Sequence, residues 1–153
     1  MLATIEHALA RHAGELGALL PILHDIQDEI GHIQEQAVAH IARALNLSRA
    51  EVHGVVTYYH HFRTVPAGRH VIRICQAEAC QSMGSEALVA HAQRHLGCAV
   101  HATTPDGAFS LEAVYCLGLC ASSPALSIND AVHARMTPQR FDALVANLVK
   151  SDS

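Results

Sequence analysis

The apolar pattern of this chain changes period once, and the change falls at the loop Thr64-Val65-Pro66-Ala67-Gly68-Arg69. Before the loop the spacing is helical: Leu19, Leu23, Ile26 and Ile30 follow one another at steps of four, three and four, which keeps them on one face. Gly31 supplies a stop, and Val38, Ile41 and Leu45 form a second stripe that ends near Asn46. Ser48 with Glu51 three residues on has the pattern of a capping box, and Val52, Val55, Tyr59 and Phe62 carry a third stripe. A further helix is expected from Thr4 to about His12. After the loop, His70-Val71-Ile72-Arg73-Ile74-Cys75 is β-rich and short, and a helix from Ser85 to Leu96 follows, stopped by Gly97. Cys98-Ala99-Val100-His101 is expected to be the return strand of a βαβ unit. Pro105-Asp106-Gly107 is a turn, because Pro fixes φ and Gly accepts positive φ. Ala125–Ile128 and Ala131–Met136 read as a hairpin about Asn129-Asp130. Thr137 as N-cap and Pro138 at the first helical position open a last helix with the stripe Phe141, Leu144, Val145 and Leu148. The fold class is therefore α+β, with a helical N-terminal domain over residues 1–66 and a second domain over 67–153.

Composition restricts the function classes. Half of the 153 residues are apolar and 16% are charged, so the chain has enough apolar matter to bury cores. With three Phe, three Tyr and no Trp, no base-stacking platform is evident. The net charge of -4 is spread evenly, since residues 1–69 and 70–153 each carry seven acids and five bases. No basic patch for nucleic acid or for a membrane surface results. The first residues lack a basic stretch followed by an apolar run, and no apolar run approaches a bilayer span, so a soluble cytoplasmic protein is expected.

In a reducing compartment, close cysteine pairs point to metal or redox chemistry more than to disulfides. Here they are Cys75-x4-Cys80 and Cys116-x3-Cys120, with 35 residues between the pairs. The first pair runs from a strand end into the following helix, and the second lies in a loop after another strand, so all four are expected at one end of one sheet. Gly118, between Cys116 and Cys120, lets that loop wrap closely. Four ordinary buried cysteines are the bland alternative, and two close pairs at strand ends argue against it. A thiol-disulfide enzyme lacks its usual Cys-x-x-Cys. Zinc and iron-sulfur both suit four thiolates; the four-residue gap leans toward iron, and spacing alone leaves zinc open. The neighbours are mostly Ala, Gly, Leu and Ser, with Glu78 the one nearby acid.

Three stretches then carry a family resemblance: Leu20-Pro21-Ile22-Leu23-His24-Asp25-Ile26-Gln27-Asp28-Glu29-Ile30-Gly31, Leu47-Ser48-Arg49-Ala50-Glu51-Val52-His53-Gly54-Val55-Val56-Thr57-Tyr58-Tyr59, and the four cysteines. Together they resemble the thioredoxin-like [2Fe-2S] subunit of NADH-linked dehydrogenases, found in respiratory complex I, NAD-reducing hydrogenases and soluble NAD-dependent formate dehydrogenases. The segment from Cys116 to Pro124 and the compact length are most similar to the gamma subunit of the formate dehydrogenases. The resemblance implies a helical N-terminal segment, then a thioredoxin-like ferredoxin domain holding one [2Fe-2S] cluster through Cys75, Cys80, Cys116 and Cys120. It also implies a flavoprotein partner that carries FMN and the NAD site, with a larger catalytic subunit in the same hetero-oligomer. This chain has no G-x-G-x-x-G and no Walker A motif, so alone it is expected to transfer electrons without dehydrogenase activity. One departure is that Gln34 follows Gly31-His32-Ile33 where the family often has Pro. The remaining alternatives are a stand-alone thioredoxin-like ferredoxin, a zinc-stabilised interaction module, and the equivalent subunit of a complex I or NAD-reducing hydrogenase.

Other residues invite chemistry and are given quieter roles. Cys98 and His101 form half of a Rieske pattern whose other half is missing, so Cys98 is expected to pack in a strand. His91 and His95 have metal-binding spacing on a helix but no neighbouring Glu, and are expected on a solvated face. Tyr58, Tyr59 and Phe62 are expected in the helix core or at a partner contact.

Overall fold

Stripes of apolar residues can be hidden only against one another, and within residues 1–66 four helices do this: α1 (Leu2–Arg11), α2 (Leu19–Ile30), α3 (Glu35–Ala44) and α4 (Arg49–Tyr58). The computed structural model describes residues 2–152, and its chain divides into two compact units, residues 1–66 and 67–153. In the first unit Ile22, Leu23, Ile26, Ile41 and Val52 are fully enclosed, with Ile5, Ile33 and Val56 beside them. Gly31 ends α2 at φ 88, its N–H bonded to the Gln27 carbonyl. Gln34 takes φ -74 and ψ 148 at the entry to α3, a backbone that proline would also adopt. The capping box forms as read: Ser48 Oγ accepts from the Glu51 N–H, and Glu51 Oε2 accepts from the Ser48 N–H.

The end of α4 differs from the sequence expectation. The helix stops at Tyr58, its buried side chains are Val52 and Val56, and Tyr58 and Tyr59 are exposed. Phe62 is buried, but from outside the helix. The reason lies in Gln27, whose amide is buried in α2: its Nε2 donates to the His61 carbonyl at 2.6 Å and its Oε1 accepts from the Arg63 N–H at 2.7 Å. Holding those backbone groups turns the chain back and seats Phe62, and a continuing helix would forgo both bonds.

The second unit is built on a mixed five-stranded sheet. Its elements are β1 (His70–Cys75), α5 (Glu78–Ser82), α6 (Ser85–Leu96), β2 (Ala102–Thr103), β3 (Phe109–Val114), β4 (Leu126–Ile128), β5 (Ala131–His133) and α7 (Pro138–Ser151), in strand order β2-β3-β1-β4-β5. Only β1 and β3 are parallel, in a register that sets His70 opposite Phe109 and Cys75 opposite Val114. Central β1 is flanked on its other side by antiparallel β4, and its residues Ile72 and Ile74 are fully buried with Leu111, Leu126 and Phe141. The expected return strand at Cys98–His101 is not one. That run is loop, His101 stands at φ 64, and the parallel return strand is β3. Residues 102–103 instead pair antiparallel with β3 across the Pro105–Gly107 turn, where Asp106 Oδ1 accepts from the Ala108 N–H. Thr137 caps α7 through Arg140 N–H, and Pro138 occupies its first turn. Among the described residues no helix is long and apolar enough to cross a membrane.

Candidate metal centre

The sheet register determines where the cysteines meet. Cys75 is the last residue of β1, its N–H bonds to the Ala125 carbonyl just before β4, and the next N–H, of Gln76, bonds to Val114 at the end of β3. Three strand ends are thereby joined. From them the chain leads into α5, which carries Cys80, and into the loop 115–119, which carries Cys116 and delivers Cys120 at the start of a short 3-10 turn. Cys80 thus lies in a separate five-residue helix ahead of α6.

The two pairs have different surroundings. Cys75 and Cys80 are buried in a small cluster with Ala125, walled by Ala77, Val114, Leu117 and Leu119, whereas Cys116 and Cys120 are exposed. Glu78 is exposed in the first turn of α5. Cys116 is held at φ 104, a conformation that L-residues rarely adopt, and Gly118 follows at φ 76 with its N–H directed to Cys116 Sγ at 3.3 Å. The sulfurs of Cys116 and Cys120 are 3.7 Å apart. Cys80 Sγ reaches Ser123 Oγ at 3.6 Å, and Ser123 Oγ donates to the Cys120 carbonyl at 2.7 Å, so a hydrogen-bonded path links the two pairs. The Ser123–Pro124 peptide beside it is cis.

These thiols feel one another. The hydrogen bond with Cys116 and the repulsion of its thiolate, then burial and the charges of Cys80 and Cys75, hold the Cys120 thiol above its ordinary range. Holding all four sulfurs as thiolates would concentrate negative charge here, which a bound cation offsets. Four sulfurs around one tetrahedral zinc, with bonds of about 2.3 Å, would all lie about 3.8 Å apart. The 3.7 Å separation of Cys116 and Cys120 fits two thiolates on one metal, be it a zinc or one iron of a two-iron centre.

The remaining sequence candidates fall elsewhere. Cys98 is half-buried beside the sheet core, in loop and not in a strand, and burial raises its thiol pKa. His91 and His95 do not simply face solvent: both bond to Asp142 of α7. Buried Gln27 was not singled out by sequence reasoning, and its one signal is a polar residue adjoining the α2 stripe.

Comparison with known proteins points to one family. A family model described as thioredoxin-like [2Fe-2S] ferredoxin matches residues 5–149. The chain is 38% identical over 141 residues to an NADH-quinone oxidoreductase subunit of Rhizobium meliloti, covering 92% of this chain and 84% of the relative. It is 33% identical to NADH-quinone oxidoreductase subunit 2 of Thermus thermophilus, over 94% of this chain and 81% of that one. NADP-reducing hydrogenase subunit HndA of Solidesulfovibrio fructosivorans is 30% identical, over 85% and 76%. Among solved structures, an NAD+-reducing [NiFe]-hydrogenase in the air-oxidised state superposes with a TM-score of 0.71 at 26% identity, covering 87% of this chain and 23% of the hydrogenase chain.

Proposed function

Since the chain belongs to the thioredoxin-like [2Fe-2S] ferredoxin family, we propose that it holds one [2Fe-2S] cluster through Cys75, Cys80, Cys116 and Cys120 and serves as a one-electron carrier within an NAD-linked oxidoreductase. The observation that carries this reading is the meeting of both cysteine pairs at the joined ends of β1, β3 and β4. When bound, the cluster supplies reversible one-electron redox chemistry. The protein contributes the rest. Cys75 and Cys80 would anchor it from the buried side, where Ala77, Val114, Leu117 and Leu119 limit water. Cys116 and Cys120 would hold it at the exposed side, toward a redox partner. The Gly118 N–H, aimed at Cys116 Sγ, would withdraw charge from that sulfur. FMN and NAD are assigned to a flavoprotein partner, because the chain has no nucleotide-binding glycine motif.

The finer assignment is to the gamma subunit of a soluble cytoplasmic NAD-dependent formate dehydrogenase, supported by the Cys116–Pro124 segment. The equivalent subunit of a hydrogenase or complex I is the second reading, favoured by the names of the relatives. Purification under anaerobic conditions should yield a coloured protein with about two irons and two acid-labile sulfides per chain and a reduced-state paramagnetic signal. Single Cys→Ser changes at positions 75, 80, 116 and 120 should each lose or alter that signal, while Cys98→Ser keeps it. A colourless protein with one zinc would refute the assignment. In a native pull-down, a flavoprotein with a molybdenum subunit selects formate dehydrogenase, and a nickel subunit selects hydrogenase.

A further inference from the structure

Away from the cysteines, two helices of the second unit bring another set of ligating atoms together. His91 and His95 lie one turn apart on α6, and both reach the same carboxylate oxygen of Asp142 on α7: His91 Nε2 at 2.6 Å and His95 Nδ1 at 3.1 Å. We propose that His91, His95 and Asp142 form a binding site for a divalent transition cation of the zinc type, which clamps α6 to α7.

Three features support a metal in preference to a simple ion pair. The first is donor chemistry: two imidazole nitrogens and one carboxylate suit Zn2+, whereas Ca2+ and Mg2+ favour all-oxygen sets. The three donor atoms lie within 4.8 Å of one another, and tetrahedral coordination with bonds of about 2.0–2.1 Å separates donors by about 3.3 Å, so small side-chain rotations suffice. The second is order. The imidazoles stack with centroids 5.8 Å apart and 27° between planes, and both stand edge-on to Phe141, at 6.0 and 5.8 Å. Phe141 is fully buried, so the rings rest on a fixed support and lose little freedom on binding. The third is access: His95 is exposed and His91 and Asp142 are half-buried, which leaves a coordination position for water. Ala92 adjoins His91 where the His-Glu-x-x-His metalloprotease pattern has Glu, and the role proposed for the site is binding.

The test uses the full chain with its iron-sulfur centre intact. Equilibrium dialysis against Zn2+ at about pH 7.5 should leave one zinc per chain beyond the iron. His91→Gln, His95→Gln and Asp142→Asn should each weaken zinc binding at least about 10-fold, while the exposed His53→Gln leaves it unchanged. Zinc-edge X-ray absorption of the wild-type protein should show nitrogen and oxygen neighbours. No retained zinc, wild-type affinity in all three variants, or sulfur neighbours would overturn the site. Should the variants lose the iron chromophore and hence their fold, the wild-type edge spectrum decides alone. Iron is counted in the same samples, so failure here is separate from failure of the electron-carrier reading.

Discussion

Gly68 stands where the chain entering β1 crosses β3, and a Cβ built there would lie 2.7 Å from the Phe109 carbonyl carbon and 3.0 Å from the Phe109 and Ser110 nitrogens. Its N–H also donates to Ser110 Oγ at 2.8 Å. The obstacles are backbone atoms, so they cannot swing aside. Gly68→Ala should therefore destabilise the second unit by about 1–3 kcal/mol, read as a lower denaturation midpoint; an unchanged midpoint would show that the strands yield. Sequence marks Gly68 only as a loop glycine, because the backbone it meets belongs to a strand 42 residues on. Gln27 is obscure for the same reason, its partners lying 34 and 36 residues away. The cysteines are legible because two close thiol pairs have few uses. The spacing of His91 and His95 is equally legible, but their acid lies 51 residues beyond His91.

At the scale of elements, the end of α1 is tied to α2 by charge. Asp25 of α2 accepts from Arg11 at 2.8 Å and meets His12 Nε2 at 3.0 Å, while His12 Nδ1 meets Glu15 at 2.9 Å. Facing two carboxylates, the imidazole favours its charged form: the bond to Glu15 and then that to Asp25 raise the His12 pKa above 6.5. The bond from His12, followed by the Arg11 charge, lowers the Asp25 pKa below 3.8. A raised histidine contributes fully below its unfolded value and fades as pH rises through its folded value; a lowered aspartate contributes above its unfolded value and fades as pH falls. The tie should thus be strongest between pH 3.8 and 6.5. In denaturation midpoints against pH, His12→Gln should lose the decline above that window that this histidine causes. Parallel profiles for wild type and variant would count against it. Elements whose signals are local, such as the Ser48–Glu51 box and the Thr137-Pro138 start of α7, are readable from sequence. Cys98–His101 has strand-like composition but no adjacent strand to pair with until β3 is placed, and α4 stops early because Gln27 captures the backbone beyond it.

For the whole molecule, the change of period at residues 64–69 is the most legible feature, because it alters every side chain on both sides of it. One core draws on residues from Ile5 to Phe62 and the other from Ile72 to Val145. We propose on that basis that the units fold independently. A fragment of residues 67–153 should melt cooperatively and reconstitute the same iron-sulfur spectrum as the full chain; an unfolded or colourless fragment would mean that the helical unit is needed. The sheet of that unit has one further property. Its outermost strands, β2 and β5, are only two and three residues long. A foreign strand laid against β2 or β5 themselves would find only a few unpaired amides to extend. The central six-residue β1 lies between β3 and β4, so the strand with the longest run of paired amides is shielded from edge-to-edge pairing.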